Sequence, residues 1–386
     1  MAEIYIENRL SLMKNRSHEK VVSMARQLDH FINLGGGDPD FDTPTHIIDA
    51  LLNAIKVGKT HYPPTYGLPT LSKAIAEYHS KHGVEWQQSE TIVTAGSGVS
   101  LFAAMTGTVN PGEEVILLEP YFMAYSNIIE YCGAIENGVP LNKEKGYRLD
   151  VDALNEKVNK KTKMIVLCNP NNPSGTVYSN QELLKIAEIA QDNKLIVLSD
   201  EVYCEFVWDG RKHTSIASIP EMKERTIISS SFSKTFAMTG WRLGYILADP
   251  SLVKKIQKIP LGYRTNTFVQ IAGIEALKGS WKPVKKMRDE YDKRRNFMVP
   301  RLNDIDGLRC HNPEGAFYLF PSFKDLGIKS ESFCMSLLKK KKILARPGTA
   351  FGKTGEYHMR IPLIKPIEVL ERIASDIENH VKETMG

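Results

Sequence analysis

The stretch from Ser229 to Gly244 reads Ser-Ser-Ser-Phe-Ser-Lys-Thr-Phe-Ala-Met-Thr-Gly-Trp-Arg-Leu-Gly. Its one lysine, Lys234, sits among apolar and aromatic residues, and Arg242 follows eight positions later. A lysine amine condenses with an aldehyde to a Schiff base, and desolvation or a nearby cation lowers its pKa enough to make it nucleophilic. Serines and an arginine beside it suit a phosphate. Amine, hydroxyls and guanidinium together point to an aldehyde that carries a phosphate, and pyridoxal 5′-phosphate (PLP) is such a cofactor. Taken alone, a lysine among 50 basic residues reads as a solvated surface charge, so the rest of the chain has to supply support.

That support comes from the elements that position side chains. Short apolar runs alternate with helical patterns: Thr91–Thr94, Glu114–Leu118, Met164–Leu167, Leu195–Leu198, Thr226–Ser229 and Leu243–Leu247 read as strands of a parallel sheet apolar on both faces. Gln181 to Asn193 places Leu183, Leu184, Ile186, Ala187, Ile189 and Ala190 at helical spacing. The alternation predicts an α/β fold, a mostly parallel central sheet flanked by helices. After about residue 285 a charged helical region and short strands predict a smaller α+β domain. The division expected is 1–45 as an N-terminal segment packing with the small domain, 46–285 as the large cofactor-binding domain and 286–386 as the small domain.

Open α/β sheets bind ligands outside the carboxyl ends of their strands, and polar groups recur there. Thr94-Ala95-Gly96-Ser97-Gly98 is a Gly-rich turn into a helix, whose first N–H groups can cradle a phosphate. Aromatic Phe122 follows the next strand, in Glu119-Pro120-Tyr121-Phe122. Asn169-Pro170-Asn171-Asn172-Pro173-Ser174-Gly175 is a rigid turn that can hold a side-chain amide in place. Asp200 ends a buried strand, where a carboxylate is costly unless paired, and a protonated pyridine nitrogen would pair it. The Gly-rich Leu34–Phe41 stretch is a loop, and Arg360 stands near the C-terminus in His358-Met359-Arg360-Ile361.

These motifs, in this order from about Ile32 to Arg360, closely resemble those of the class I/II aminotransferases, fold-type I PLP enzymes like aspartate aminotransferase. The resemblance implies that Lys234 forms the Schiff base, that Ser231 and Arg242 hold the phosphate with the backbone of Ser97 and Gly98, and that Phe122 stacks on the pyridine ring. It assigns Asn172 and Tyr203 to the phenolate oxygen and Asp200 to the ring nitrogen. Arg360 would clamp the substrate α-carboxylate, and the Gly37 backbone would face the same group. Tyr62 matches a tyrosine that reaches the phosphate of a neighbouring subunit, with Tyr66 the alternative, so a homodimer with shared sites is implied. Gly98 stands where some relatives carry a hydroxyl residue, and Pro362 where many carry a small polar one.

The implied activity is PLP-dependent transfer of an amino group between an L-amino acid and a 2-oxo acid, with Lys234 as the base at Cα. The alternative is a non-transaminating PLP reaction on the same fold, a β- or γ-elimination or a cyclisation. A regulator built on this scaffold would need an added DNA-binding domain, and about 30 residues ahead of the Gly-rich loop are too few for one. An acidic substrate would need a second cation; Arg264 is a candidate, or a surface arginine.

The composition fits this class. Of 386 residues, 42% are hydrophobic and 25% charged, as in an ordinary globular protein. A net charge of +5 with both signs interspersed gives no footprint for nucleic acid. Five scattered cysteines without a CxxC spacing indicate neither zinc nor a disulfide framework, so no metal is expected. Reduced thiols, no apolar leader and no long apolar run predict a cytoplasmic protein.

Overall fold

The computed structural model describes residues 18–262 and 265–385. A two-residue strand, β1 (Ile32–Asn33), precedes the seven strands of the central sheet: β2 (Thr91–Thr94), β3 (Glu114–Glu119), β4 (Ile135–Pro140), β5 (Thr162–Cys168), β6 (Ile196–Asp200), β7 (Thr226–Ser231) and β8 (Gly244–Ala248). The last third of the chain adds β9 (Tyr318–Leu319), β10 (Ile343–Leu344), β11 (Arg346–Pro347) and β12 (Met359–Pro362). Arg264 and residues 1–17 of the expected N-terminal segment lie outside the described residues.

The strand order is β2-β8-β7-β6-β5-β3-β4. Side chains of successive strand residues point to opposite faces, and here each face meets a helix layer. From β5, Met164 and Val166 join Leu101 and Met105 of the helix Ser97–Thr108. Ile165 and Leu167 join Leu183 and Ile186 of the helix Asn180–Asp192 on the other face. That second helix starts where Ser179 Oγ accepts from the Glu182 N–H and Glu182 Oε2 accepts from the Ser179 N–H. Such reciprocal caps contribute about 1 kcal/mol.

The structure departs from the expected sheet at two places. β8 runs antiparallel to both of its neighbours, β2 and β7, rather than parallel. The segment joining β7 to β8 holds only a four-residue helix and a 3-10 turn, too little to carry the chain back for a parallel pairing. β4, at the sheet edge, is an unexpected strand: Ile-Glu-Asn-Gly-Val-Pro is polar because one side of it faces water. It runs against β3 so closely that a Cβ at Gly138 would collide with the Glu119 carboxylate.

Beyond the sheet, the helices Lys282–Asn303, Ser330–Lys341 and Ile367–Met385 share a core of Leu302, Phe333, Leu337 and Ile373. Val21, Ala25 and Leu34, from before the large sheet, are buried in that same core, and β1 pairs in parallel with β10. β11, β12 and β9 form an antiparallel ladder in which Arg346 lies opposite Arg360. Among the described residues no helix is long and apolar enough to cross a membrane.

Candidate active site

The carboxyl edge of the sheet opens into a cavity of about 390 Å³ where the loops after β2, β3, β5, β6 and β7 converge with the β11–β12 hairpin. Gly37, Ser97, Gly98, Phe122, Asn172, Asp200, Tyr203, Lys234, Arg242 and Arg360 all line it. The antiparallel course of β8 explains the place of Arg242. This arginine precedes the strand, yet it lands at the carboxyl end of the others.

Two glycines allow its close approach. Gly96 has φ 93°, and a Cβ there would stand 2.5 Å from Arg242 Nη2. A Cβ at Gly244 would meet the Ser97 nitrogen at 2.7 Å. Arg242 is anchored by donating through Nη1 to the Thr239 carbonyl at 2.8 Å. Beside it the helix Ser97–Thr108 starts at the cavity, so free N–H groups and a guanidinium face the same space.

The Gly-rich loop is fixed from two sides. Lys234 Nζ donates to the Gly37 carbonyl at 2.5 Å, and Thr239 Oγ1 donates to Asp38 Oδ1 at 2.6 Å. Across the cavity Arg360 Nη2 donates to the Gly35 carbonyl at 3.0 Å, and Arg346 Nε donates to the same oxygen at 2.6 Å. Glycine is required at 37 because a Cβ would collide with the Tyr318 hydroxyl. Arg360 Nη1 also donates to Asn172 Oδ1 at 3.1 Å. The turn that carries Asn172 is stapled by its own amides: Asn171 Nδ2 donates to the Pro120 carbonyl, and Asn169 Oδ1 accepts from the Tyr178 N–H.

Neighbouring carboxylates on β6 and just after it behave in opposite ways. Burial raises Glu201, but His213 at 3.1 Å, His79 and the Ser215 hydroxyl outweigh it and bring the pKa to about 2. Asp200 is equally buried but has no histidine bonded to it; the charge of Lys234 favours its anionic form only weakly, and Glu201 opposes it. Burial pushes it up to about 6, against a hydrogen bond from the Tyr125 hydroxyl at 2.6 Å and one from the Val202 N–H at 3.3 Å. Lys234 is lowered to about 8, chiefly by burial, with Asp38 opposing and Arg360 and Arg242 assisting. Burial and the Tyr318 hydroxyl, 2.7 Å away, hold Tyr203 well above the usual phenol range, as a neutral donor.

The donor set fits PLP. A buried carboxylate with a raised pKa and an amine with a lowered one line the cavity, an aromatic ring lines the wall, and a helix start with an arginine closes one end. Guanidinium Arg360 is buried and its Nε has no partner among the described residues.

Two expected residues do not line this cavity. Ser231 is buried at the end of β7, where its Oγ accepts from the Ser233 N–H at 3.4 Å; Ser233 lines the cavity instead. Tyr62 is 87% exposed on this chain. Four residues that sequence reasoning gave no role also belong to the site: Tyr125, Ser233, Tyr318 and Arg346. Tyr125 and Tyr318 are buried phenols, whose polar ends signal a required partner.

The fold and site thus define an α/β protein whose cavity suits a phosphorylated aromatic aldehyde and a carboxylate. The family described as aminotransferase class I and II matches residues 29–377. An aspartate aminotransferase of Pyrococcus horikoshii is 39% identical over 97% of each chain. An aromatic-amino-acid aminotransferase of Thermococcus litoralis is 38% identical over 98% of each. The crystal structure of an aromatic aminotransferase from Pyrococcus horikoshii, 39% identical, superposes with a TM-score of 0.90 over 95% of this chain and 99% of that one. The chain belongs to the class I and II aminotransferases, a family of PLP-dependent enzymes.

Proposed function

We propose that this aminotransferase binds PLP in the cavity at the sheet's carboxyl edge and moves an amino group between an α-amino acid and a 2-oxo acid there. The observation that carries the reading is Asp200: a carboxylate that burial raises to about 6, in the cavity that also holds the Lys234 amine. A ring N–H⁺ beside it would offset that burial. When bound, PLP supplies an aldehyde for the amine and a ring that accepts the electron pair released at the substrate Cα.

The chain's own groups divide the remaining work. The N–H groups of Ser97 and Gly98, with Arg242 and Ser231 or the neighbouring Ser233, hold the phosphate. Phe122 covers the ring face, and Asn172 and Tyr203 donate to the phenolate oxygen. Arg360 and the Gly37 backbone orient the substrate α-carboxylate, and Lys234 Nζ accepts the Cα proton. Proton acceptance requires the neutral amine, which the lowered pKa provides near pH 8. In this reading 1–45 packs with the small domain 286–386, 46–285 holds the cofactor, and two chains pair so that Tyr62 reaches the partner's site. Cysteines that form no disulfide among the described residues support a reducing compartment, the cytoplasm.

The half-reaction tests this. Holoenzyme given an amino acid and no oxo acid should yield one oxo acid and pyridoxamine phosphate per site. Lys234→Ala should lose both that product and the visible absorbance of the lysine-bound cofactor. Release of ammonia with PLP unchanged would instead establish an elimination enzyme.

A further inference from the structure

Arg346 lines the cavity with Lys234 and Arg360, and the reading above gives it nothing to do. It stands opposite Arg360 on the antiparallel β11–β12 pair, and residues directly opposite project to the same face. Both side chains then donate to one oxygen, the Gly35 carbonyl: Arg346 through Nε at 2.6 Å and Arg360 through Nη2 at 3.0 Å. The two nitrogens are therefore no further apart than those two bonds laid end to end. This brings two guanidinium groups side by side in a partly enclosed space, where like charges raise each other's energy. Burial and the charge of Arg360 lower Arg346 to about 10.

Such an arrangement calls for anions. Arg360 has one in the α-carboxylate of the substrate. Among the described residues no carboxylate pairs with Arg346, and its terminal nitrogens make no hydrogen bond, because only Nε is engaged. The adjoining wall is open: Gly36 lines the cavity, and a Cβ there would meet nothing within 4 Å. A planar guanidinium with both terminal nitrogens unused matches a carboxylate in two-point geometry. Two guanidinium groups that share one acceptor are close enough for a molecule whose carboxylates are separated by a short chain.

We propose that Arg346 binds the side-chain carboxylate of a dicarboxylic substrate, so that an acidic amino acid and its oxo acid are held at both ends by arginines of a single chain. This rests on the assignment of the cavity as the amino-transfer site. It makes Arg346 a specificity-determining residue and needs no cation from the region of Arg264.

The test compares acidic with apolar donors in the holoenzyme. In Arg346→Gln, the ratio of kcat/KM for glutamate or aspartate to that for leucine should fall about 100-fold, as loss of one partner of a desolvated charge pair does. Most of the change should appear in KM. Arg346→Lys should recover part of the ratio. Calorimetric binding of maleate, which cannot react, should weaken by a similar factor in Arg346→Gln. An unchanged ratio, or equal losses for leucine and glutamate, would overturn the proposal; the second result would leave Arg346 only as a prop for Gly35. Selectivity that survives Arg346→Gln and disappears in Arg264→Ala would overturn it as well. Wild-type enzyme that converts leucine but neither acidic donor would sink this inference and spare amino transfer. Absence of any half-reaction would remove the underlying assignment.

Discussion

The Tyr125 hydroxyl donates to Asp200 Oδ2 at 2.6 Å, and both side chains are buried. This bond and that from Val202 counter the burial that pushes Asp200 up to about 6. Tyr125→Phe removes one of them while leaving the ring in place. A hydrogen bond to a charged group contributes about 1.5–3 kcal/mol, so the Asp200 pKa should rise further. The anionic form is the one that holds a ring N–H⁺. The acid limb of the kcat–pH profile should therefore move to higher pH, with kcat at pH 7 lower by about tenfold. A profile superimposable on wild type would detach Tyr125 from the chemistry.

Asp200 also makes a signed prediction about stability without cofactor. Its folded pKa of about 6 exceeds the reference 3.8. Between those values the folded protein binds more protons than the unfolded chain, so this group lowers stability as pH rises through the window. The cost is fully present above pH 6 and amounts to about 3 kcal/mol at 1.36 kcal/mol per unit. Asp200→Asn carries no such charge. In urea unfolding of cofactor-free protein, its stability relative to wild type should climb between pH 4 and pH 7. A constant offset across that range would show that Asp200 is not strained by burial.

Much of this site was legible because its parts are local motifs. Gly96 and Ser97 follow β2 directly, Asp200 ends β6 and Lys234 follows β7, so a strand pattern and its next few residues locate each. Apolar periodicity found six of the seven large strands because those six are buried on both faces. It missed β4, whose polar residues meet water at the edge, and it could not give the direction of β8, which depends on pairing rather than composition. The rest of the site arises from topology. Tyr318 sits on a two-residue strand too short for any period, and it reaches Tyr203 from 115 positions away. Arg346 meets Arg360 only through the register of β11 against β12. Ser231 is the N-cap of the short helix after β7, which a strand pattern does not reveal, and Ser233 lines the cavity.

Gly96 ties backbone geometry to phosphate binding. It stands at the start of the helix Ser97–Thr108 with φ 93°, and a Cβ would lie 2.5 Å from Arg242 Nη2 and 3.0 Å from Cζ. Gly96→Ala should cost about 1–3 kcal/mol of stability through backbone strain. It should also displace the guanidinium and raise the dissociation constant of PLP at least about tenfold, the loss expected for a charge-assisted contact. Fluorescence titration of cofactor-free protein reads this. Pyridoxal without its phosphate should be much less affected, and equal losses for the two ligands would place the damage elsewhere.

Tyr62 links the site to assembly. It is 87% exposed on one chain and does not line that chain's cavity, whereas a tyrosine buried against a partner gains a large contact area. Sedimentation should give a mass of two 43.4 kDa chains. If Tyr62 reaches the partner's phosphate, PLP affinity belongs to the dimer, and diluting wild-type protein until chains separate should weaken it. Tyr62→Ala should start with weaker binding and lose less on dilution, because the contact broken by separation is already gone. Wild-type affinity that is independent of concentration through the monomer–dimer transition would mean that each chain completes its own phosphate site, and Tyr62 would then have no part in it.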